Sequence, residues 1–387
     1  MVGIGTETAF EAAGRARAWE AQGHEVIHLE VGEPDFDTPV NIREAAKKAL
    51  DEGWTHYPPP LGLPVLREAI ARDSTMRRGF QVEPGNVVVT PGAKPIMFYA
   101  LLALIDEGDE VIYPDPGFPI YESMTRYAGG TPVPLHLSED KDFRFDPDEL
   151  RALVTPRTKL IIFNSPHNPT GGVLTKSDLE AIADVARERD ICVLADEIYG
   201  RLVYEGEHQS IAAMPGMAER TVVLDGFSKA YAMTGWRMGY AIVPPSLVDA
   251  YSKLIINSVS GTSAFQQIAA AEALNGPQDS VDAMAAEFRT RRDLVVEGLN
   301  HIPGVSCGVP HGAFYAFPNI GGTGLKGSDL ADRLLYEAGV CVLSGTAFGK
   351  TCPDHIRISY ANSQPNLRRA LERIEEVVAK TPAATPA

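Results

Sequence analysis

The sequence predicts an α/β protein: a large unit on a mostly parallel mixed sheet flanked by helices, joined to a smaller α+β unit. Three observations carry that expectation. Through the middle of the chain, short and nearly continuous apolar runs alternate with amphipathic helical patterns, as in strands buried on both faces between crossover helices. Polar residues gather just past the C-terminal ends of those runs, where open α/β sheets bind ligands. After about residue 280 the pattern changes to a long charged helix followed by short, isolated apolar runs.

Taken in order, residues 7–22 have helical spacing and are expected to pack with the C-terminal part of the chain. Val87-Val88-Val89-Thr90 is a β-branched strand, stopped by Pro91-Gly92. The helix expected over 95–105 opens on Pro95, tolerated in a first turn because the missing N–H has no partner there. Further strands are expected at 110–113, 159–163, 191–195 and 221–224, with a helix over 176–189. Beyond residue 280 come a helix through Arg289-Thr290-Arg291-Arg292, hairpin-like runs at 313–316 and 355–358, and a last helix. A Pro/Ala/Thr tail over 381–387 is expected to be disordered. The predicted division is a large unit over 41–280 and a discontinuous small one over 1–40 and 281–387. No internal repeat is visible.

Composition narrows the function. The chain has 387 residues, 44% hydrophobic and 22% charged, ordinary for a globular protein of more than one domain. With 35 Lys+Arg against 51 Asp+Glu the formal net charge is -16, which argues against nucleic acid or an anionic membrane as the main partner. Small anionic substrates stay open, since local arginines can dominate a pocket. Cys192, Cys307, Cys341 and Cys352 show no C-x-x-C spacing, and His311 and His355 complete no zinc pattern. Reduced thiols and no metal are expected. No apolar stretch is long enough to span a bilayer, and the first ten residues lack the features of a signal peptide, so the chain reads as cytoplasmic.

Four strand ends carry the chemistry. Residues 193–195 run into Asp196-Glu197-Ile198-Tyr199, and 160–163 into Asn164-Ser165-Pro166-His167-Asn168-Pro169-Thr170-Gly171-Gly172. Residues 222–224 run into Asp225-Gly226-Phe227-Ser228-Lys229, and 87–89 into Thr90-Pro91-Gly92-Ala93-Lys94. Brought together, they supply an acid, a phenol, an amide, a lysine and a glycine-bearing helix start. No metal or dinucleotide site needs that set, and no G-x-G-x-x-G motif opens the chain.

The segment from Asp225 through Lys229 to Arg237 and Tyr240 resembles the lysine signature of fold-type I, class I/II aminotransferases, which use pyridoxal 5′-phosphate (PLP). His167-Asn168-Pro169-Thr170-Gly171, Asp196-Glu197-Ile198-Tyr199, Gly32-Glu33-Pro34-Asp35-Phe36-Asp37-Thr38-Pro39 and His355-Ile356-Arg357-Ile358-Ser359 match further motifs of that family, in its order. The nearest likeness is to the prokaryotic branch of aspartate aminotransferases. The resemblance implies that Lys229 carries PLP covalently and shuttles the substrate's Cα proton. Burial beside other cations lowers a lysine pKa toward what that needs. It implies that Asp196 pairs with the protonated ring nitrogen, and that Asn168 and Tyr199 bond the ring's 3′-oxygen. Ser228, Arg237 and the backbone N–H groups of Gly92, Ala93 and Lys94 would hold the phosphate. Gly226 sits where some relatives carry a further phosphate-binding hydroxyl.

Phe118 would stack on the ring, and Gly117, in place of an aromatic residue, would leave extra room beside it. Tyr57 would reach the phosphate in the neighbouring subunit's site, which implies a homodimer with shared active sites. Arg357 would grip the substrate α-carboxylate through both guanidinium arms, with Asn168 and the Gly32 N–H beside it. Lys94 has two readings: it binds the distal carboxylate of aspartate or glutamate, or it only adds positive potential near the phosphate. The loop 257–263, expected to line the partner's pocket, offers no arginine for a distal carboxylate. The expected reaction moves an amino group between an L-amino acid, aspartate favoured, and a 2-oxo acid such as 2-oxoglutarate. Aromatic, alanine-like or other biosynthetic amino acids are alternatives, as is β-elimination on the same fold. A PLP-sensing DNA-binding regulator is disfavoured, because the stretch before Gly32 is short and not basic.

Overall fold

The computed structural model describes residue 5 and residues 7–380. Its strands are β1 (Ile27–His28), β2 (Val87–Thr90), β3 (Glu110–Asp115), β4 (Thr131–Ser138), β5 (Arg144–Phe145), β6 (Thr158–Asn164), β7 (Cys192–Asp196), β8 (Thr221–Gly226), β9 (Gly239–Ile242), β10 (Tyr315–Ala316), β11 (Val340–Cys341), β12 (Leu343–Ser344) and β13 (Ile356–Ser359). The α-helices are α1 (Thr8–Glu20), α2 (Val40–Asp51), α3 (Pro64–Arg78), α4 (Lys94–Leu104), α5 (Ile120–Tyr127), α6 (Pro147–Leu153), α7 (Lys176–Arg189), α8 (Val248–Ser258), α9 (Ala264–Asn275), α10 (Asp279–His301), α11 (Gly327–Ala338) and α12 (Gln364–Ala379).

An eight-stranded sheet has the order β2-β9-β8-β7-β6-β3-β4-β5. Its centre, from β8 to β4, is parallel; β9 runs antiparallel between β2 and β8, and β5 pairs antiparallel at the far edge. Strand alternation splits the apolar runs between the two faces. Leu160, Ile162 and Leu194 pack with Ile96 and Met97 of α4 and Tyr251 of α8. Ile161, Phe163 and Val193 pack with Leu179, Ile182 and Val185 of α7. Both faces are therefore sealed, which is why these strands read as continuous apolar runs.

Two smaller sheets, β10-β13-β12 and β1-β11, pack with α10, α11 and α12 around Phe288, Phe314, Leu334 and Ile374, and Ile27 and Leu29 join the same cluster. On α1, Ala9, Ala12 and Ala16 form one small-residue face that packs with Cys341 and Leu343.

Some elements differ from expectation. The runs at 313–316 and 355–358 do pair antiparallel, as β10 and β13, but α11, β11 and β12 intervene and β12 pairs with β13 as well, so they form no hairpin. Strand β4 was hidden by Pro132 and Pro134. It tolerates them because β5 reaches only Leu137 and Ser138, leaving the rest of that edge without a partner strand. The tail expected to be disordered, 381–387, lies outside the described residues. Among the described residues no helix is long and apolar enough to cross a membrane.

Parallel pairing puts the C-terminal ends of β6, β7 and β8 side by side. The reversed strand β9 starts at Gly239, paired with both Thr90 and Gly226. That register brings the residues after β2, those after β8 and those before β9 to one edge of the sheet.

Candidate active site

A cavity of about 520 Å³ opens at that edge. Of the residues singled out in the sequence, Gly32, Ala93, Lys94, Phe118, Asn168, Asp196, Tyr199, Ser228, Lys229, Arg237 and Arg357 line it. Gly92 sits just behind. Its φ of +89° suits glycine, and a Cβ there would overlap the Arg237 guanidinium that lies across it. Tyr57 does not line this chain's cavity and is 91% exposed; the loop 257–263 does not line it either.

Lys229 follows β8 and is partly buried; its Nζ donates to the Gly32 carbonyl. The ammonium lies 5.9 Å from the Tyr199 ring centroid and 5.7 Å from that of Phe314. Burial, helped by Arg357 and Lys94 and opposed by Glu7 and Glu33, lowers its pKa to about 8. Asp196 closes β7. Its Oδ2 accepts from the Tyr121 hydroxyl at 2.6 Å and its Oδ1 from the Ile198 N–H at 3.2 Å. Burial raises its pKa to about 6 despite the Tyr121 bond. Asn164 steadies this corner, donating to the Asp196 carbonyl and accepting from the Asn168 N–H.

Arg357 reaches in from β13. Nη1 donates to Asn168 Oδ1 at 3.0 Å and Nη2 to the Glu30 carbonyl, while Nε has no partner. The guanidinium stacks 4.5 Å from the centroid of Tyr315, whose hydroxyl shares a 2.7 Å bond with that of Tyr199. Gly32 passes so close to the Tyr315 hydroxyl that a Cβ would overlap it.

Charge pairing separates the cavity from what lies beneath it. Under β7 and β8, fully buried Arg78 bonds Glu197 at 2.7 Å and Asp225 at 2.5 Å, and Arg77 adds a second contact to Asp225 at 2.7 Å. Burial opposes ionisation of those two carboxyls, yet the arginines hold both below the usual range. In the cavity, by contrast, Lys229, Asp196, Arg237 and Arg357 have no ion-pair partner among the described residues. Of these, Asp196 and Arg357 are buried; unpaired buried charge is costly, so its persistence marks a place built for a charged ligand.

One expectation is corrected. Gly117 adds no room to this cavity, which it does not line; it lines a separate one of about 270 Å³ beside Phe118 and Phe348. Its N–H donates to the Phe348 carbonyl at 2.7 Å, and a Cβ there would overlap the Pro114 carbonyl oxygen. In the direction a side chain would take, the Pro114 backbone already stands. Sequence reasoning also missed Tyr121, Tyr315 and Glu7, all of which line the cavity. Tyr121 stands three residues after Phe118, and their rings meet edge to face at 5.7 Å, so i,i+3 spacing was the available signal.

The family model for aminotransferase class I and II matches residues 24–374. The chain belongs to the class I and II aminotransferases. An aspartate aminotransferase of Pyrococcus horikoshii is 42% identical over 356 residues, covering 92% of this chain and 91% of that protein. The aromatic-amino-acid aminotransferase 2 of Thermococcus litoralis is 42% identical over 363 residues, covering 92% and 93%. Among solved structures, the aspartate aminotransferase of Thermus thermophilus with maleate superposes with a TM-score of 0.93 at 40% identity, covering 97% of each chain. The fold is that of the fold-type I aminotransferases. Aminotransferases of this family use PLP, and the cavity fits it. A buried carboxylate without a cation faces the same space as a partly neutral lysine, and an arginine without an ion-pair partner, held by the Thr234 carbonyl at 3.0 Å, lies across Gly92 at the start of α4.

Proposed function

We propose that this aminotransferase moves an amino group between an L-amino acid, aspartate favoured, and a 2-oxo acid such as 2-oxoglutarate. It would do so in the cytoplasm as a homodimer with shared active sites, each subunit divided into the large unit over 41–280 and the small one over 1–40 and 281–387. The carrying observation is that Lys229, Asp196, Arg237 and Arg357 line one cavity without ion-pair partners. The aspartate preference is supported by the two aspartate aminotransferases among the relatives named above and by Lys94 in the cavity wall; the aromatic-amino-acid aminotransferase, equally similar, supports the aromatic alternative.

Bound PLP supplies an aldehyde for amines and a protonated ring that withdraws electrons from the substrate's Cα. Lys229 Nζ would hold it and then take and return the proton at Cα; with a pKa of about 8, about one amine in ten is neutral at pH 7. Asp196 would keep the ring nitrogen protonated. Asn168 and Tyr199 would orient the 3′-oxygen, and Phe118 would cover the ring face. Ser228, Arg237 and the Ala93 and Lys94 N–H groups would hold the phosphate at the start of α4; the Gly92 N–H, expected among them, is given to the Thr90 carbonyl at 2.8 Å instead. Arg357, already fixed by Asn168 and Glu30, would bind the α-carboxylate beside Gly32.

The direct test incubates the PLP-loaded enzyme with L-aspartate and 2-oxoglutarate, expecting oxaloacetate and glutamate in equal amounts. Activity only with phenylalanine or alanine would move the preference. Pyruvate and ammonia released from a β-substituted alanine, with no glutamate formed, would favour elimination. Arg357→Lys keeps the charge but loses the fork, so kcat/KM should fall about 100-fold for every amino acid alike.

The dimer is supported by exposed Trp54, Tyr57, Ile256 and Val259, a set of apolar side chains suited to a partner surface. Light scattering should give twice the chain mass. Tyr57→Phe should weaken PLP binding about tenfold, the worth of one hydrogen bond to a charged group.

A further inference from the structure

The start of α1 contributes Glu7 and Phe10 to the cavity wall. Glu7 holds the N-cap position of that helix, where a carboxylate ordinarily accepts from first-turn N–H groups. It makes no such cap bond. Its carboxylate turns inward and pairs with the Lys94 ammonium. The pair sits in an aromatic frame, with Lys94 Nζ 5.6 Å from the ring centroids of both Phe10 and Phe118. Burial lowers the pKa values of Lys229 and Arg357, and Glu7 is among the charges that oppose this, so its carboxylate shares one electrostatic field with the cations of the site.

We propose that Glu7 is a specificity-determining residue: its carboxylate occupies, from within the chain, the place at Lys94 that a substrate's distal carboxylate would take. A dicarboxylate substrate must displace Glu7. An apolar one need not, because Phe10, Phe118 and Met97, which all line the cavity, offer walls beneath an intact ion pair. One pocket thereby receives two kinds of side chain, with the pair closed for the apolar kind and open for the anionic kind. The inference rests on the amino-acid substrates proposed above.

The physics is a competition between like charges for one cation. Glu7 and Lys94 keep 24% and 45% of their side-chain surface exposed, so solvent screens the pair and its strength is that of a partly exposed bridge, worth about fivefold in an equilibrium constant. Neutralising Glu7 frees Lys94 and removes a repulsion at the same place, and both changes favour the incoming carboxylate.

The experiment compares the PLP-loaded wild type with Glu7→Gln, using two ligands that lack an amine and cannot turn over. Succinate has the aspartate skeleton and 3-phenylpropanoate that of phenylalanine. Titration calorimetry should show succinate binding about fivefold tighter to the variant, with 3-phenylpropanoate within twofold of the wild type. The ratio of kcat/KM for aspartate to that for phenylalanine should rise by a similar factor. Unchanged succinate affinity, or equal shifts for both ligands, would overturn the proposal; equal shifts would mean that Glu7 only latches α1. Because binding is read without turnover, the two readings fail separately. A succinate gain in an enzyme inactive on aspartate ends the aspartate preference and leaves Glu7's role standing. No gain in an aspartate-active enzyme ends Glu7's role alone.

Discussion

Lys229→Ala should cut kcat about 10⁴-fold while leaving the fold intact, because it removes the amine that would both hold the cofactor and move the Cα proton. Lys94, the other lysine in the cavity, is placed elsewhere, with its ammonium at Glu7 and between the rings of Phe10 and Phe118. Lys229→Arg should fail almost as badly, although it keeps the positive charge. A guanidinium has no neutral form near pH 7, whereas burial brings the Lys229 pKa to about 8. The same shift fixes a pH dependence. Capture of PLP by the apoenzyme needs the neutral amine, so its rate should climb with pH, level off above about 8, and show no such rise in Lys229→Ala. Stopped-flow absorbance on the apoenzyme checks the profile, and circular dichroism checks the fold. A Lys229→Ala enzyme with more than about a tenth of wild-type kcat would remove Lys229 from the chemistry.

What was legible in the sequence follows from where the information lies along the chain. Asp196, Asn168, Ser228 and Lys229 each follow directly on a strand whose two buried faces leave an apolar run, so periodicity and a local motif located them together. Strand β9 was not recognised because Gly239–Ile242 opens on a glycine and lacks the β-branched run that marks the equally short β2, Val87–Thr90. The hydroxyl of Tyr121 meets Asp196 across 75 positions of sequence, Tyr315 meets Tyr199 across 116, and Lys94 meets Glu7 across 87. Contacts of that span leave no local pattern. Gly117 was misread for a related reason: a missing side chain looks like space in a sequence, but here the Pro114 carbonyl takes the place.

Asp196→Asn should separate function from stability. Activity should fall about 10²–10³-fold, the usual loss when a placed charge is removed from an active site. The apoenzyme should become more stable. Burial raises the Asp196 pKa from 3.8 to about 6, so between those values the folded state binds more protons than the unfolded chain. The group's favourable contribution is therefore present below about pH 4 and is lost as pH rises through about 6. At pH 8 the apoenzyme carries a buried carboxylate with no cation, a cost of about 3 kcal/mol for a shift of that size. An asparagine carries no charge, and its one oxygen keeps the acceptor for the Tyr121 hydroxyl. Its NH2 then faces the Ile198 N–H, which Asp196 Oδ1 accepts from in the wild type, an offset of about 1 kcal/mol. Urea unfolding of the two apoenzymes should thus show the variant ahead by the difference between that cost and this offset at pH 8, with the gap narrowing toward pH 5. PLP should then stabilise the wild type more than the variant, because only the wild type gains a partner for a charge. A variant less stable than wild type at pH 8 would mean that Asp196 is held by the fold for its own sake. The opposite result would show a carboxylate that the chain keeps, at a cost to its own stability, for a ligand it must bind.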